Sequence, residues 1–199
     1  MNLSDLATTI LRIEQLPISK VRFAKTIYFV HKELIRLKLS TNLEIEYIRM
    51  PLGPVPFGFM ELAANNPLIV VTKLFTGLAY NTSQYSLRKR RLSVGNKSNL
   101  DLAVKNALDK LRIMTTSELV ELSHKDPSWI NNANGRLFSI SNKDLDNSLP
   151  FRFKSSNASS EEDDQLLQAS LVQGMIHDIV NESTDLEHPA DDGSTTRNT

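Results

Sequence analysis

The chain has 199 residues, 40% of them hydrophobic, which suffices for one core of ordinary size. It has no cysteine, which excludes disulfide scaffolds, thiol catalysis and Cys-ligated zinc or iron–sulfur sites. Lys+Arg and Asp+Glu both number 23, but residues 1–154 carry 22 basic and 13 acidic side chains (net +9) and residues 155–199 carry 1 and 10 (net −9), so a basic body and an acidic tail must be read separately.

Along the chain, Leu3 to Leu16 has Leu6, Ile10 and Ile13 on one face and reads as a short helix, with Ser4 as N-cap and Pro17 as stop. The clearest helix covers Ser19 to Lys38. Ala24, Ile27, Tyr28, His31, Leu34 and Ile35 keep helical spacing, and Phe23, Phe29, Val30 and Leu37 widen the apolar surface. Such a helix is expected to be central and buried, with Lys20, Lys25, Lys32, Arg36 and Lys38 at the wet positions. Glu44 to Arg49 alternates as a half-buried strand does. Pro51-Leu52-Gly53-Pro54-Val55-Pro56-Phe57-Gly58 then predicts a stiff irregular turn, because three prolines fix φ and withdraw donors.

Phe59 to Ala64 reads as a helical turn or two, and Leu68–Phe75 with Tyr80–Leu87 as a hairpin around Thr76-Gly77. Arg88-Lys89-Arg90-Arg91 follows. Helices are expected from an Asn99 cap to about Leu111 and from Thr116 or Ser117 through His124, then a short strand within Arg136–Ile140. From Ser155 the composition becomes Ser-rich and then acidic. Glu161 to Asp164 precede Leu166, Leu167, Leu171, Met175, Ile176, Ile179 and Val180, the pattern of an amphipathic helix. The expected fold class is α+β and mostly helical: a central buried helix, flanking helices and a small antiparallel sheet in residues 1–150. Residues 151–199 are expected to form a flexible, disordered acidic tail with a short amphipathic helix near 162–181.

Few residues here carry obvious chemistry. His31 lies on the apolar stripe, either as a hydrogen-bonded core histidine or as a donor to a partner. His124, Asp126 and Trp129 offer half of an acid–base pair, or a helix end in which Asp126 caps and Trp129 fills the core. No serine nucleophile motif, metal-ligand spacing or phosphate loop accompanies them, so no catalytic, metal or cofactor residue is assigned. The Arg88 to Arg91 cluster is the one dense basic run, a candidate for phosphate contacts or for docking the acidic tail. No apolar run reaches membrane-span length, and Met1 to Asp5 does not open a signal peptide, so a cytoplasmic protein without membrane partners is expected.

Three segments in order resemble the Panacea domain family of SocA-like antitoxins, many of them phage-associated. They are the helix Val21-Arg22-Phe23-Ala24-Lys25-Thr26-Ile27-Tyr28-Phe29-Val30-His31, the turn Leu52-Gly53-Pro54-Val55, and the helix Ser117 to His124 followed by Pro127 and Trp129. Leu52 stands where the family's turn carries tyrosine, the insert from Leu68 to Val94 is longer than expected of the family, and the tail lies outside the resemblance. The resemblance implies protein binding without catalysis: capture of a toxin, and in the SocA-like version its delivery to a protease such as ClpXP. Expected partner contacts are Tyr28, His31, Gly53, Pro54, Val55, Phe57, Phe59, Arg88, Arg90, Arg91, His124 and Trp129. Two alternatives stand beside the antitoxin reading. One is a nucleic-acid-binding regulator that uses cluster 88–91, and the other a phage protein that binds a host defence factor.

Overall fold

The computed structural model describes residues 1–39, 43–75, 81–88, 98–140 and 145. Helix α1 spans Leu3–Glu14. Its N-cap is Asn2 rather than Ser4: the Asn2 side chain accepts from the Asp5 N–H while Asp5 reaches back to the Asn2 N–H, a capping box that satisfies two otherwise orphaned donors. Gln15, at φ 59°, ends the helix in the left-handed region. A two-residue strand, β1 (Ile18–Ser19), which the sequence did not announce, precedes helix α2 (Lys20–Arg36).

Helix α2 is the centre of the fold, packed by α1, by later helices and by strands of both sheets. Phe23, Ile27, Tyr28, Val30 and Leu34 are fully buried, as the broad apolar surface required. Two of its lysines depart from expectation. Lys25 and Lys32 are buried rather than wet, because they share the face of Val21 and Tyr28 at spacings of four, three and four.

Strand β2 (Glu46–Met50) is followed by β3 (Gly53–Pro56), which corrects the expected irregular turn. The two pair antiparallel, with Ile48 opposite Val55 and Met50 opposite Gly53. The prolines are tolerated because β3 is an edge strand. The Phe57 N–H donates to the Glu46 carbonyl at 2.8 Å. Pro54 and Pro56 alternate with such donors, so the N–H groups they lack are ones that would point away from β2. Helix α3 (Leu62–Asn65) is one turn. Strands β4 (Ile69–Phe75) and β5 (Asn81–Leu87) form the expected hairpin; its turn lies outside the described residues.

Ser98, one residue before the expected Asn99, caps helix α4 (Asn99–Leu111). Thr115 caps helix α5 (Thr116–His124) in a second capping box with Glu118. Helix α6 (Pro127–Ile130) is a single turn capped by Asp126, and β6 (Leu137–Ser139) returns to pair with β2.

The fold is thus α+β and mostly helical, with two three-stranded antiparallel sheets among the described residues, ordered β1-β5-β4 and β3-β2-β6, where one small sheet was expected. The first sheet meets α2 through a cluster of Phe23, Phe59 and Tyr85, with ring centroids 5.2–5.8 Å apart. The second meets it through Tyr47, whose ring lies edge-on to Tyr28 at 5.0 Å. The expected tail helix near 162–181 lies outside the described residues.

Candidate functional site

A groove of about 460 Å³ opens where the start of α2 faces the β2–β3 ribbon and the turn after it. Val21 and Ala24 line it from α2, Ile48 and Met50 from β2, Leu52 and Val55 from the second strand and its turn, and Phe57, Phe59 and Met60 from the following loop. Ile48 and Met50 share one face of β2, while Tyr47 turns to the core from the other, as strand alternation demands. Phe57 is 56% exposed and Met60 58% exposed. Two large apolar side chains held open beside an apolar groove cost solvation free energy in the isolated chain and mark a surface fitted for contact. Lys20 and Glu61 supply charge to the lining.

The groove wall is fixed from behind by a close approach at Gly53. Its φ of 93° lies in the region favouring glycine, and a Cβ there would collide with Ser123 Oγ and lie 2.9 Å from Lys25 Nζ. The Lys25 amine, 1% exposed, donates to the Pro54 carbonyl at 2.8 Å. No carboxylate pairs with it among the described residues, and burial pushes its pKa well below the usual lysine value. Ser123 donates to the Val120 carbonyl at 2.7 Å, within α5. Helix α2, strand β3 and helix α5 therefore meet at one point where only glycine fits.

Two further constellations brace the ribbon. The Arg49 guanidinium lies 4.0 Å over the Trp129 ring centroid, and His124 stacks on the same indole with centroids 4.4 Å apart. The Trp129 indole N–H donates to the Met50 carbonyl at 3.1 Å, and Arg49 Nε donates to the Trp129 carbonyl at 3.1 Å. This clamp ties α5 and α6 to β2. Burial, followed by the nearby cations Lys25 and Arg49, lowers the His124 pKa. Deeper in, His31 Nδ1 and the Tyr47 hydroxyl are hydrogen bonded at 2.9 Å. Burial brings His31 down to about 4 and pushes the Tyr47 phenol well up, so both stay neutral.

The expected contact residues therefore separate. Tyr28, His31, Gly53 and Pro54 are buried and offer a partner almost no side-chain surface; Phe59, also buried, lines the groove. Val55 and Phe57 line the groove directly. His124 and Trp129 are half-buried in the clamp, so Trp129 does not fill the core. Arg88 is exposed at the end of β5, while Arg90 and Arg91 lie outside the described residues. His124 and Asp126 do not form an acid–base pair: Asp126 turns into the core, where it pairs with Lys32 and accepts from the Ser128 N–H at 3.0 Å.

Sequence reasoning did not single out Lys25, Ser123, Arg49, Ile48, Met50 or Met60. Ile48 lay within the strand expected over Glu44–Arg49, but Met50, which β2 includes, fell just beyond it. The partners of Lys25 and Arg49 are set by tertiary contacts and left no local signal.

The family model for the SocA-like antitoxins, Panacea domain, matches residues 23–130. That span runs from the first turn of α2 through α6, and it contains the Gly53 junction, the Arg49–Trp129–His124 clamp and all of the groove wall except Lys20 and Val21. The chain belongs to this family. Comparison with curated proteins and with solved structures gave no match.

Proposed function

We propose that the protein is an antitoxin that neutralises a cognate protein toxin by direct binding, with the groove between α2 and the β2–β3 ribbon as the capture surface. The observation that carries this reading is the apolar groove with Phe57 and Met60 exposed at it, in a chain of the SocA-like antitoxin family. The action is steric and needs no catalytic residue. An apolar anchor of the toxin enters the groove, and the rigid ribbon holds the surface in the bound shape beforehand, which limits the entropy lost on association. Leu52, where the family has tyrosine, contributes an apolar wall in place of a hydroxyl, which tunes the groove toward an apolar anchor. In this reading the protein acts in the cytoplasm, and the captured toxin is handed to a protease such as ClpXP.

The test is co-expression in a bacterial host with each neighbouring reading frame, scored by growth and by toxin level. The expected result is a neighbour that is toxic alone and harmless beside this protein. Phe57→Asp should abolish protection while leaving folding intact, since an exposed side chain contributes within about 0.5 kcal/mol to stability. Falling toxin levels would support delivery to a protease, and constant levels would support blocking alone. The reading fails if no neighbour is toxic, or if Phe57→Asp protects fully.

A further inference from the structure

We propose that the acidic C-terminal segment 161–180 of the same chain is an internal occupant of the groove and competes with the captured partner. Three observations converge on this occupant.

The first is chemical fit. The groove combines apolar walls with exposed Phe57 and Met60, and its lining carries one cation, Lys20, beside one carboxylate, Glu61, so the fit is chiefly apolar. The segment combines four consecutive acids, Glu161 to Asp164, with Leu167, Leu171 and Met175 recurring every fourth residue. Such a stripe needs an apolar surface to rest on, because a helix of this length is marginal alone in water.

The second is charge. Residues 1–154 carry 22 basic and 13 acidic side chains, net +9, and residues 155–199 carry 1 and 10, net −9. Opposite fields of this size on one chain draw the two parts together and orient the approach.

The third is the path of the chain. Strand β6 ends at Ser139 and pairs with β2, the strand that supplies Ile48 and Met50 to the groove. The last described strand, β6, thus lies two strands from β3, about 10 Å at ordinary strand spacing. The 25 residues between Ile140 and Leu166 are enough to cover that distance, since a flexible linker of that length has a root-mean-square span of roughly 28 Å. A tether of that length keeps the segment at an effective concentration near millimolar, so a weak intrinsic contact is enough for occupancy. Docking itself does not depend on the toxin reading; its regulatory consequence rests on the groove being the capture site.

The test uses the full chain, whose lack of cysteine allows one label to be placed cleanly. Ala169→Cys, a position outside the Leu167, Leu171 and Met175 stripe, carrying a nitroxide is prepared with methyl-labelled methionine. Met50 and Met60 report on the groove and Met114 on the core. Docking predicts that the Met50 and Met60 methyl signals are broadened relative to the chemically reduced label, independently of protein concentration, and recover when Leu167→Asp is added. Equal intensities in the two label states would overturn the proposal. Broadening that disappears on dilution with unlabelled chain would also overturn it, and would indicate a second copy.

A separate titration with toxin distinguishes the two readings. If the segment occupies the groove nine-tenths of the time, Leu167→Asp should tighten toxin binding about tenfold. Broadening without any change in toxin affinity would leave the docking standing and remove the groove as the capture site. Intact toxin binding without broadening would do the reverse.

Discussion

At the scale of single residues, Gly53 is the position with least freedom. Its positive φ and the collision that a Cβ would make with Ser123 Oγ act together. Gly53→Ala is expected to cost about 2–4 kcal/mol from strain and overpacking, measured by denaturant unfolding; an unchanged midpoint would show that the junction yields.

His31 makes a prediction about pH. Its pKa in the folded chain is about 4, below the ordinary 6.5, so the unfolded chain binds the proton more readily. The stability contributed by neutral His31 is complete above pH 6.5 and is lost as pH falls from 6.5 to about 4. The loss is about 3 kcal/mol if His31 acts alone. His31→Gln, which keeps a hydrogen bond to Tyr47, should flatten the stability curve in that window relative to the native chain. A difference between the two that does not vary with pH would contradict the assignment. The residue scale also shows the limits of reading side chains from sequence. His31 on an apolar stripe was legible as a core histidine. Lys25 was not, since its charge suggested solvent and only its place in the 21–25–28–32 row argued for burial.

At the scale of elements, the ribbon and the short helix α6 are held by polar ties rather than by length. Asp126 caps α6 and pairs with Lys32 from α2, both buried. Asp126→Ala should cost about 3–5 kcal/mol, because it leaves a buried cation without its carboxylate. If that is the cause, adding Lys32→Met should recover a large part of the loss in the same unfolding measurement, whereas simple addition of the two effects would assign the cost to the cap.

Element boundaries were legible in part: Pro17 marked the end of α1 and Thr116 the start of α5, while the Thr115–Glu118 box in front of it was not read. The exceptions have physical causes. β3 was hidden because prolines forbid a central strand but not an edge strand whose missing donors face outward. β1 was hidden because two residues, Ile18 and Ser19, carry no period; they are a strand only because Tyr85 and Gln84 lie opposite.

At the scale of the whole molecule, a basic part, residues 1–154, precedes an acidic one, and the apolar groove is lined by β2, the strand with which β6 pairs. Burial of α2 against both sheets and three helices, α1, α4 and α5, makes the body rigid enough to present Phe57 and Met60 without collapse onto them. No helix among the described residues is long and apolar enough to cross a membrane. The family resemblance was readable from Val21–His31, Leu52–Val55 and Ser117–His124 with Pro127 and Trp129; of these, Lys25, Gly53 and Ser123 meet at the junction, and His124 and Trp129 belong to the clamp. The groove itself was not readable, since its walls come from four separate segments, brought together only by the pairing of β2 with β3 and the packing of α2.

The most direct measurement is the dissociation constant of the purified protein with the toxin identified by co-expression, for the native chain and for Phe57→Asp. Groove capture predicts a loss of at least 30-fold, equivalent to about 2 kcal/mol for a central anchor, with the unfolding midpoint unchanged. Equal affinities for the two proteins would contradict it and place the capture surface elsewhere on the fold.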